Sequence, residues 1–329
     1  MKIGKEVLYL TRSEVQKTGL TMKEYIDLME EAHRDKGNKA ILMPPKLTLQ
    51  PNENLFMLGM GCVVERTGAA GIKWLSGCAT NRDKGLPRFT GFVILNDLET
   101  GAPVCIMDAT YLTAMRTAAV SGLALRYLAN KDSRVVGVYG CGMEGRTNLE
   151  AAICECPEIC QVYAWAPRRA SVERYIEEMR EKFPHVRIEA SEDPKQVMRE
   201  ADIFLGSSPV THGDEFKLVR ADWLKPGLTA VPVNTESHFY DEAVEQFHKI
   251  YIDDTAMYEL CREKGHYKTL KETPPELSEL LTGGTAGREG KEQKIITFTE
   301  GVGLNDVACG EKIFRLALEM GIGTMLPLE

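Results

Sequence analysis

The sequence predicts an α/β protein: a Rossmann-type doubly wound parallel sheet inserted in a mainly antiparallel α+β domain. Three observations carry this. A β-branched run, Val135-Val136-Gly137-Val138-Tyr139, leads straight into Gly140-Cys141-Gly142-Met143-Glu144-Gly145. From Val135 onward, apolar runs alternate with helical stretches, the rhythm of a parallel sheet covered by crossover helices. Before Val135, strand-like runs follow one another with turn residues between them, and an amphipathic helix closes the chain. The expected division is 1–128 plus 304–329 for the outer domain and 129–303 for the inserted one.

In chain order, Thr21-Met22-Lys23-Glu24 is a capping box opening a helix towards Arg34, which Gly37 stops. Strands are expected at Leu55–Val64, Gly71–Ser76, Phe89–Leu95 and Val104–Met107, with Asn96-Asp97-Leu98-Glu99-Thr100-Gly101 as a hairpin connection. Asp108 is placed to cap a long helix through about Ala129. Further strands are read at Val162–Ala166, Val186–Glu189, Ala201–Gly206, Thr229–Val233 and Lys249–Ile252. Helices are read at Asn148–Ile153, Ser171–Phe183 and Pro194–Arg199. Thr273–Lys294, with Pro274-Pro275 and Gly283-Gly284, reads as an irregular connection. The last helix, Asp306 to Met320, is expected to return to the first domain.

The bulk properties narrow the partners. A net charge of −8 argues against nucleic acid and anionic membrane surfaces, which reward basic proteins. No segment has the apolar length of a membrane helix, and the N-terminus lacks a signal peptide's apolar core. Nine cysteines without a framework spacing fit free thiols in a reducing cytoplasm. Cys154, Cys156 and Cys160 match no common metal signature, and the histidines show no His-x-x-x-His pairing, so no metal site is expected.

The glycine loop is where a dinucleotide would sit. Gly140 suits the tight turn, Gly142 the approach of the pyrophosphate, and Gly145 the close packing of the next helix, whose N-terminus faces the diphosphate. Met143 and Glu144 complete the loop. An NAD site usually has an acidic residue at the end of the second strand, to bond the ribose 2′-hydroxyl. Here Val162–Trp165 runs into Ala166-Pro167-Arg168-Arg169 instead. Arg168 and Arg169 either meet a 2′-phosphate or are solvated loop residues. NADP(H) is the preferred cofactor and NAD(H) the possible one.

Two cations stand out before the loop. Lys73 sits inside an apolar strand, as either a snorkelling edge residue or a buried cation that needs an anionic partner. Arg116 lies among small residues in Ala109-Thr110-Tyr111-Leu112-Thr113-Ala114-Met115-Arg116-Thr117-Ala118-Ala119, which leaves room for a planar anion held by two hydrogen bonds.

The chain resembles the ornithine cyclodeaminase/mu-crystallin family over essentially its whole length. The resemblance rests on Leu86-Pro87, Gly91-Phe92-Val93-Ile94-Leu95, Glu99-Thr100-Gly101-Ala102-Pro103 and the block Met107 to Ala119, in that order. Gly71-Ile72-Lys73, the glycine loop and Gly301-Val302-Gly303-Leu304 also fall in order. The resemblance implies a homodimer whose first domain, completed by the C-terminal helix, binds a small substrate in a cleft against the nicotinamide. It implies that Lys73 and Arg116 hold the α-carboxylate of an amino or imino acid, and that Thr117 contacts the cofactor. Ser207 and Thr235 are further candidate cofactor contacts.

Several positions depart from the family pattern. Pro44-Pro45-Lys46 stands where Pro-Pro-Arg is usual, so a bidentate contact becomes a point charge. Glu236 matches the aspartate that handles the substrate amine in the cyclodeaminases, and is one methylene longer. Met143-Glu144 replaces the common Gln and Ala, Arg88 replaces a small hydroxyl residue beside the cofactor, and Glu300 stands where serine is frequent. The resemblance therefore implies hydride transfer at the C–N bond of a small amino acid or its imine. Lys73, Arg116 and Glu236 would be catalytic, with Lys46 assisting at the carboxylate. Two alternatives stay open: an ornithine cyclodeaminase that forms proline and ammonia while recycling its cofactor, and a non-catalytic ligand-binding protein like the mu-crystallins.

Overall fold

The computed structural model describes residues 1–207, 217–233 and 236–328, the side chain of Arg82 aside. The chain divides into two compact units, Met1–Arg116 with Gly301–Glu329, and Thr117–Glu300. The division falls within the helix Thr110–Leu128.

The first unit is built on an eight-stranded sheet. Its order is Thr324–Pro327, Glu6–Leu10, Pro103–Asp108, Phe89–Asn96, Ala69–Cys78, Leu55–Val64 and Ile41–Leu42, with Leu47–Asn52 also paired to Leu55–Val64. Pairing is antiparallel except where Glu6–Leu10 runs parallel to Pro103–Asp108. The hairpin at Asn96–Gly101 forms as expected, joining two antiparallel strands. Four strands here escape the sequence reading: Glu6–Leu10, Ile41–Leu42, Leu47–Asn52 and Thr324–Pro327. The last is exposed throughout, so it carries no alternation to read.

Helix Met22–Gly37 starts at the expected box, Thr21 and Glu24 each bonding the other's backbone. Asp108 acts one residue further out than a cap: its carboxylate accepts the Thr110 backbone N–H at 3.0 Å. The final helix, Gly303–Met320, packs on the strands Leu55–Val64, Ala69–Cys78 and Phe89–Asn96 and on helix Met22–Gly37. Alternation along Ala69–Cys78 then decides what meets that helix. Lys73, Leu75 and Gly77 are buried, while Ile72 and Trp74 are exposed.

The second unit holds a seven-stranded, wholly parallel sheet. Its order is Arg187–Ala190, Gln161–Trp165, Val135–Tyr139, Ile203–Gly206, Thr229–Pro232, Ile295–Phe298, Lys249–Ile252. The chain winds outward from Val135–Tyr139 in one direction and then from Ile203–Gly206 in the other. The topological switch therefore lies between those two strands, where α/β sheets bind ligands beyond the strand C-termini.

Two expectations need correction. The helix after the glycine loop begins at Met143, not Asn148, and runs to Glu155. The segment Thr273–Lys294 is not wholly irregular: Leu277–Thr282 is a helix, boxed by Glu276 and Glu279 and closed by left-handed Gly283. Its prolines and glycines punctuate that short helix rather than prevent it. Strand Ile295–Phe298, which follows, is buried on both faces and so lacks the alternation that marks a half-exposed strand.

Candidate active site

In the first unit three charged groups converge in the core. Lys73 is fully buried, and its Nζ donates to Asp306 Oδ1 at 2.7 Å. Arg116, 7% exposed, donates through Nε to the same oxygen at 2.9 Å. Lys73 is thus the buried cation of the two readings, and Asp306 is the anionic partner that reading required. Asp306 is itself fully buried, and its Oδ2 has no hydrogen-bond partner among the described residues.

The balance of charge is positive. Burial and the neighbouring Arg116 pull the Lys73 ammonium down to about 7, Asp306 works against them, and Lys46 adds a further downward push. Lys46 is therefore close enough to be felt at Lys73. Lys73 and Arg116 share one oxygen of a single carboxylate, an arrangement suited to an incoming anion. Gly301 keeps room for the guanidinium. Its φ is +73°, and a Cβ there would stand 2.7 Å from Arg116 Nη1. Arg88 is exposed, its guanidinium 5.4 Å from the ring centroid of Phe89.

In the second unit the glycine loop has the geometry a dinucleotide needs. Gly140 has φ +96°, and a Cβ on Gly145 would come within 2.0 Å of the Gly140 carbonyl oxygen, so the helix can approach only as glycine. Gly142 is the N-cap of Met143–Glu155, and nothing lies within 4 Å of where its Cβ would be. That space at a helix N-terminus fits a diphosphate. Met143 is exposed, and Glu144 lies in the first helical turn.

Two further side chains brace this loop. Ser207, across the switch point, donates to Gly140 O at 3.1 Å. Arg146 donates through Nη1 to Cys141 O at 2.8 Å and Gly142 O at 2.9 Å. The loop's own orphan carbonyls could have pointed to Arg146, but its spacing alone does not. Thr117 opens the second unit, its carbonyl within 3.5 Å of the Ser121 hydroxyl.

Arg168 and Arg169 part company. Arg169 is 79% exposed and pairs with Glu173 at 3.0 Å and Glu192 at 3.1 Å. Arg168 is the exposed N-cap of helix Arg169–Lys182. Thr235 lies outside the described residues.

Glu236 follows the C-terminal end of Thr229–Pro232. Its Oε1 accepts the Tyr267 backbone N–H at 3.0 Å and lies 3.3 Å from His266 Nδ1. Burial raises the carboxyl's pKa, but the His266 and backbone hydrogen bonds outweigh that and hold it below the usual carboxylate range. Asp306, Arg146, His266 and Tyr267 are the residues that the sequence reading did not single out.

Comparison with known proteins identifies the family. The model of the ornithine cyclodeaminase/mu-crystallin family matches residues 5–320. The chain is 29% identical over 322 residues to the nodulation efficiency protein NfeD of Rhizobium meliloti, covering 97% of this chain and 98% of that one. The structure of Thermococcus litoralis Δ1-pyrroline-2-carboxylate reductase, with NADH and L-proline, superposes with TM-score 0.87 at 28% identity, covering 97% of this chain and 99% of that one. An archaeal alanine dehydrogenase dimer with bound NAD gives TM-score 0.88 at 28% identity, with 98% and 100% covered. With the match spanning all but the two ends, the chain belongs to the ornithine cyclodeaminase/mu-crystallin family.

Proposed function

We propose that this protein is an NAD(P)H-dependent oxidoreductase acting on the C–N bond of a small amino acid or its cyclic or linear imine. The observation that carries the reading is the positive cluster around Asp306. Lys73 and Arg116, with Lys46 beside them, offer charge-assisted hydrogen bonds to a substrate carboxylate. Two of the three similar proteins named above are a pyrroline-2-carboxylate reductase and an alanine dehydrogenase, which work on such molecules.

A nicotinamide dinucleotide, when bound, supplies or accepts the hydride. The chain's own residues have three tasks in this reading. Gly140, Gly142 and Gly145 let the backbone N–H groups at the helix start meet the diphosphate, with Ser207 and Arg146 holding the loop in shape. Lys73 and Arg116 fix the carboxylate and, by their charge, favour electron withdrawal from the α-carbon. Glu236 orients the amine nitrogen. Arg88, Thr117, Met143, Glu144 and Thr235 remain assigned to the cofactor by family position.

We assign the 2′-phosphate of NADP(H) to Arg168, since Arg169 is engaged by Glu173 and Glu192. We further propose a homodimer formed on the outer face of the first sheet. There Trp74 and Phe92 are exposed cross-strand neighbours, with Ile72 beside them. The cysteines, all free thiols, support a reducing cytoplasmic setting.

A second reading has its own support. Glu236 keeps one carboxylate oxygen without a partner among the described residues, which suits a substrate side-chain amine and hence cyclodeamination of ornithine. Following nicotinamide absorbance with Δ1-pyrroline-2-carboxylate, L-proline, L-alanine and L-ornithine, under both cofactors, tests both. Net oxidation or reduction supports the dehydrogenase, and proline released from ornithine without net change supports the cyclodeaminase. Inactivity with every probe would overturn both.

A further inference from the structure

The C-terminal ends of three neighbouring strands in the parallel sheet carry a polar network that the carboxylate cluster does not use. Thr229–Pro232 leads into Glu236, Ile295–Phe298 into Glu300 and Lys249–Ile252 into Asp253. Tyr267 joins them. Its backbone N–H goes to Glu236 Oε1, and its phenol hydroxyl donates to the Glu300 carboxylate. The Glu300 backbone N–H is in turn donated to Asp253 Oδ1 at 3.1 Å.

Tyr267 is held in a conformation that its residue type resists. Its φ is +55°, left-handed for a bulky side chain, a state that persists only where the surroundings over-determine it. Those surroundings are visible: the ring stacks on Tyr258 with centroids 5.0 Å apart and tilts against Phe298 at 5.1 Å. The consequence is local. The strained turn places the Tyr267 N–H and the His266 ring on one oxygen of Glu236, while Oε2 stays buried without a partner among the described residues.

We propose that Glu236 and His266 form a proton-holding pair whose remaining oxygen, Glu236 Oε2, binds the substrate nitrogen, and that Tyr267 and Glu300 position this pair. The inference rests on the amino or imino acid reading above. An ionised Oε2 can only accept hydrogen bonds, so it favours an iminium N–H and disfavours the oxygen of a 2-oxo acid. During reduction, hydride adds to the iminium carbon and the C=N π pair becomes the nitrogen lone pair. That lone pair takes the proton held by the pair, the amine leaves as its ammonium, and the pair regains a proton from solvent.

The charged groups around His266 are consistent with this role. Its hydrogen bond to Glu236 raises the imidazole's pKa, burial opposes that, and Glu236 and Glu300 add upward pulls against a smaller push from Lys264. Glu236 itself also faces Tyr258, whose ring lies near Arg262 and Glu259. His266, Tyr267 and Glu300 act through Glu236 and are positioning residues.

The test uses the full chain and two readouts. The first is the His266 imidazole titration by NMR, in wild type and Glu236→Gln. The pair requires the midpoint to move to lower pH in the variant; an unchanged midpoint overturns it. The second is the pH profile of kcat for reduction of Δ1-pyrroline-2-carboxylate, taken at saturating substrate, where the charge of Lys73 weighs least. Wild type should lose activity as pH rises through the His266 midpoint. His266→Asn should remove that limb and cost at least about tenfold. Glu300→Ala should lower kcat while Glu300→Gln, which keeps an acceptor for Tyr267, recovers most of it. A basic limb that survives in His266→Asn, or equal losses in the two Glu300 variants, would refute the assignment. A wild type inert towards every probe refutes the enzymatic reading, and the imidazole titration then still decides the pair.

Discussion

Lys73 and Asp306 are 233 positions apart in the sequence, yet Lys73 Nζ lies 2.7 Å from Asp306 Oδ1 in the core of the first unit. The pair ties an inward position of the Ala69–Cys78 strand to the first turn of the C-terminal helix. Arg116 shares the same oxygen, so a single carboxylate offsets two buried cations. Such an arrangement is a poor source of stability, because desolvation consumes most of the Coulomb gain. In the proposed function its value lies in holding two donors where a substrate carboxylate completes the set.

Removal of Asp306 should therefore expose the desolvation cost. Asp306→Ala leaves Lys73 and Arg116 buried without an anion, and breaking a buried pair this way typically costs about 3–5 kcal/mol. Asp306→Asn keeps the shape and one acceptor and should cost less. Thermal unfolding of the two variants against wild type checks the order. An alanine variant as stable as wild type would show that water or rearrangement compensates the cations.

The lowered pKa of Lys73 predicts a pH-dependent KM. Below about 7 the ammonium is charged and binds a carboxylate; above that value the free protein loses the proton and with it a charge-assisted bond. Such a bond is worth roughly 1.5–3 kcal/mol, so KM should rise about tenfold or more across neutrality towards alkaline pH. Bound carboxylate will raise the Lys73 pKa, so kcat should respond less than KM. Steady-state kinetics on wild type and Lys73→Met decide it. Persistence of the same KM dependence in Lys73→Met would assign it to another group.

Gly301 should behave as a specificity position although it has no side chain. A Cβ there meets Arg116 Nη1 at 2.7 Å, and φ +73° is unfavourable for alanine. Gly301→Ala should therefore displace the guanidinium, raising KM for a carboxylate substrate by at least about tenfold through loss of one charge-assisted contact. Cofactor binding, measured by quenching of nicotinamide fluorescence, should be unaffected. Equal loss of cofactor affinity would mean that the change propagates through the backbone instead.

Much of this was legible because it is local. The glycine loop and its preceding strand are contained within a few residues, and spacing alone carries their meaning. Lys73 was conspicuous as a charge among apolar neighbours. Asp306 offered the same signal, a lone acid in Gly303–Gly310, where nearly every residue is buried, but a first-turn aspartate also reads as ordinary dipole complementarity. Its partnership spans most of the chain, and no window shows it. His266 and Tyr267 were silent for another reason: their roles come from a left-handed backbone at Tyr267, a residue type that does not announce one. The prolines before Leu277–Thr282 misled because they mark a helix start as readily as a loop.

The second-strand arginines give a test of cofactor choice that separates neighbours in sequence. Arg169 already pairs with Glu173 and Glu192, so recruiting it to a phosphate would break exposed ion pairs of little worth but also bring the ligand close to two carboxylates. Arg168 makes no such ion pair among the described residues and sits at the start of helix Arg169–Lys182, where anions are favoured. Arg168→Ala should raise the Kd for NADPH by about tenfold and leave that for NADH within about twofold, in line with loss of one charge-assisted contact. Arg169→Ala should change the ratio of the two less. Fluorescence titration of both variants with both cofactors measures this directly. If Arg168→Ala weakens NADH and NADPH alike, its side chain supports the adenosine half in general and the preference for the phosphorylated cofactor must be abandoned.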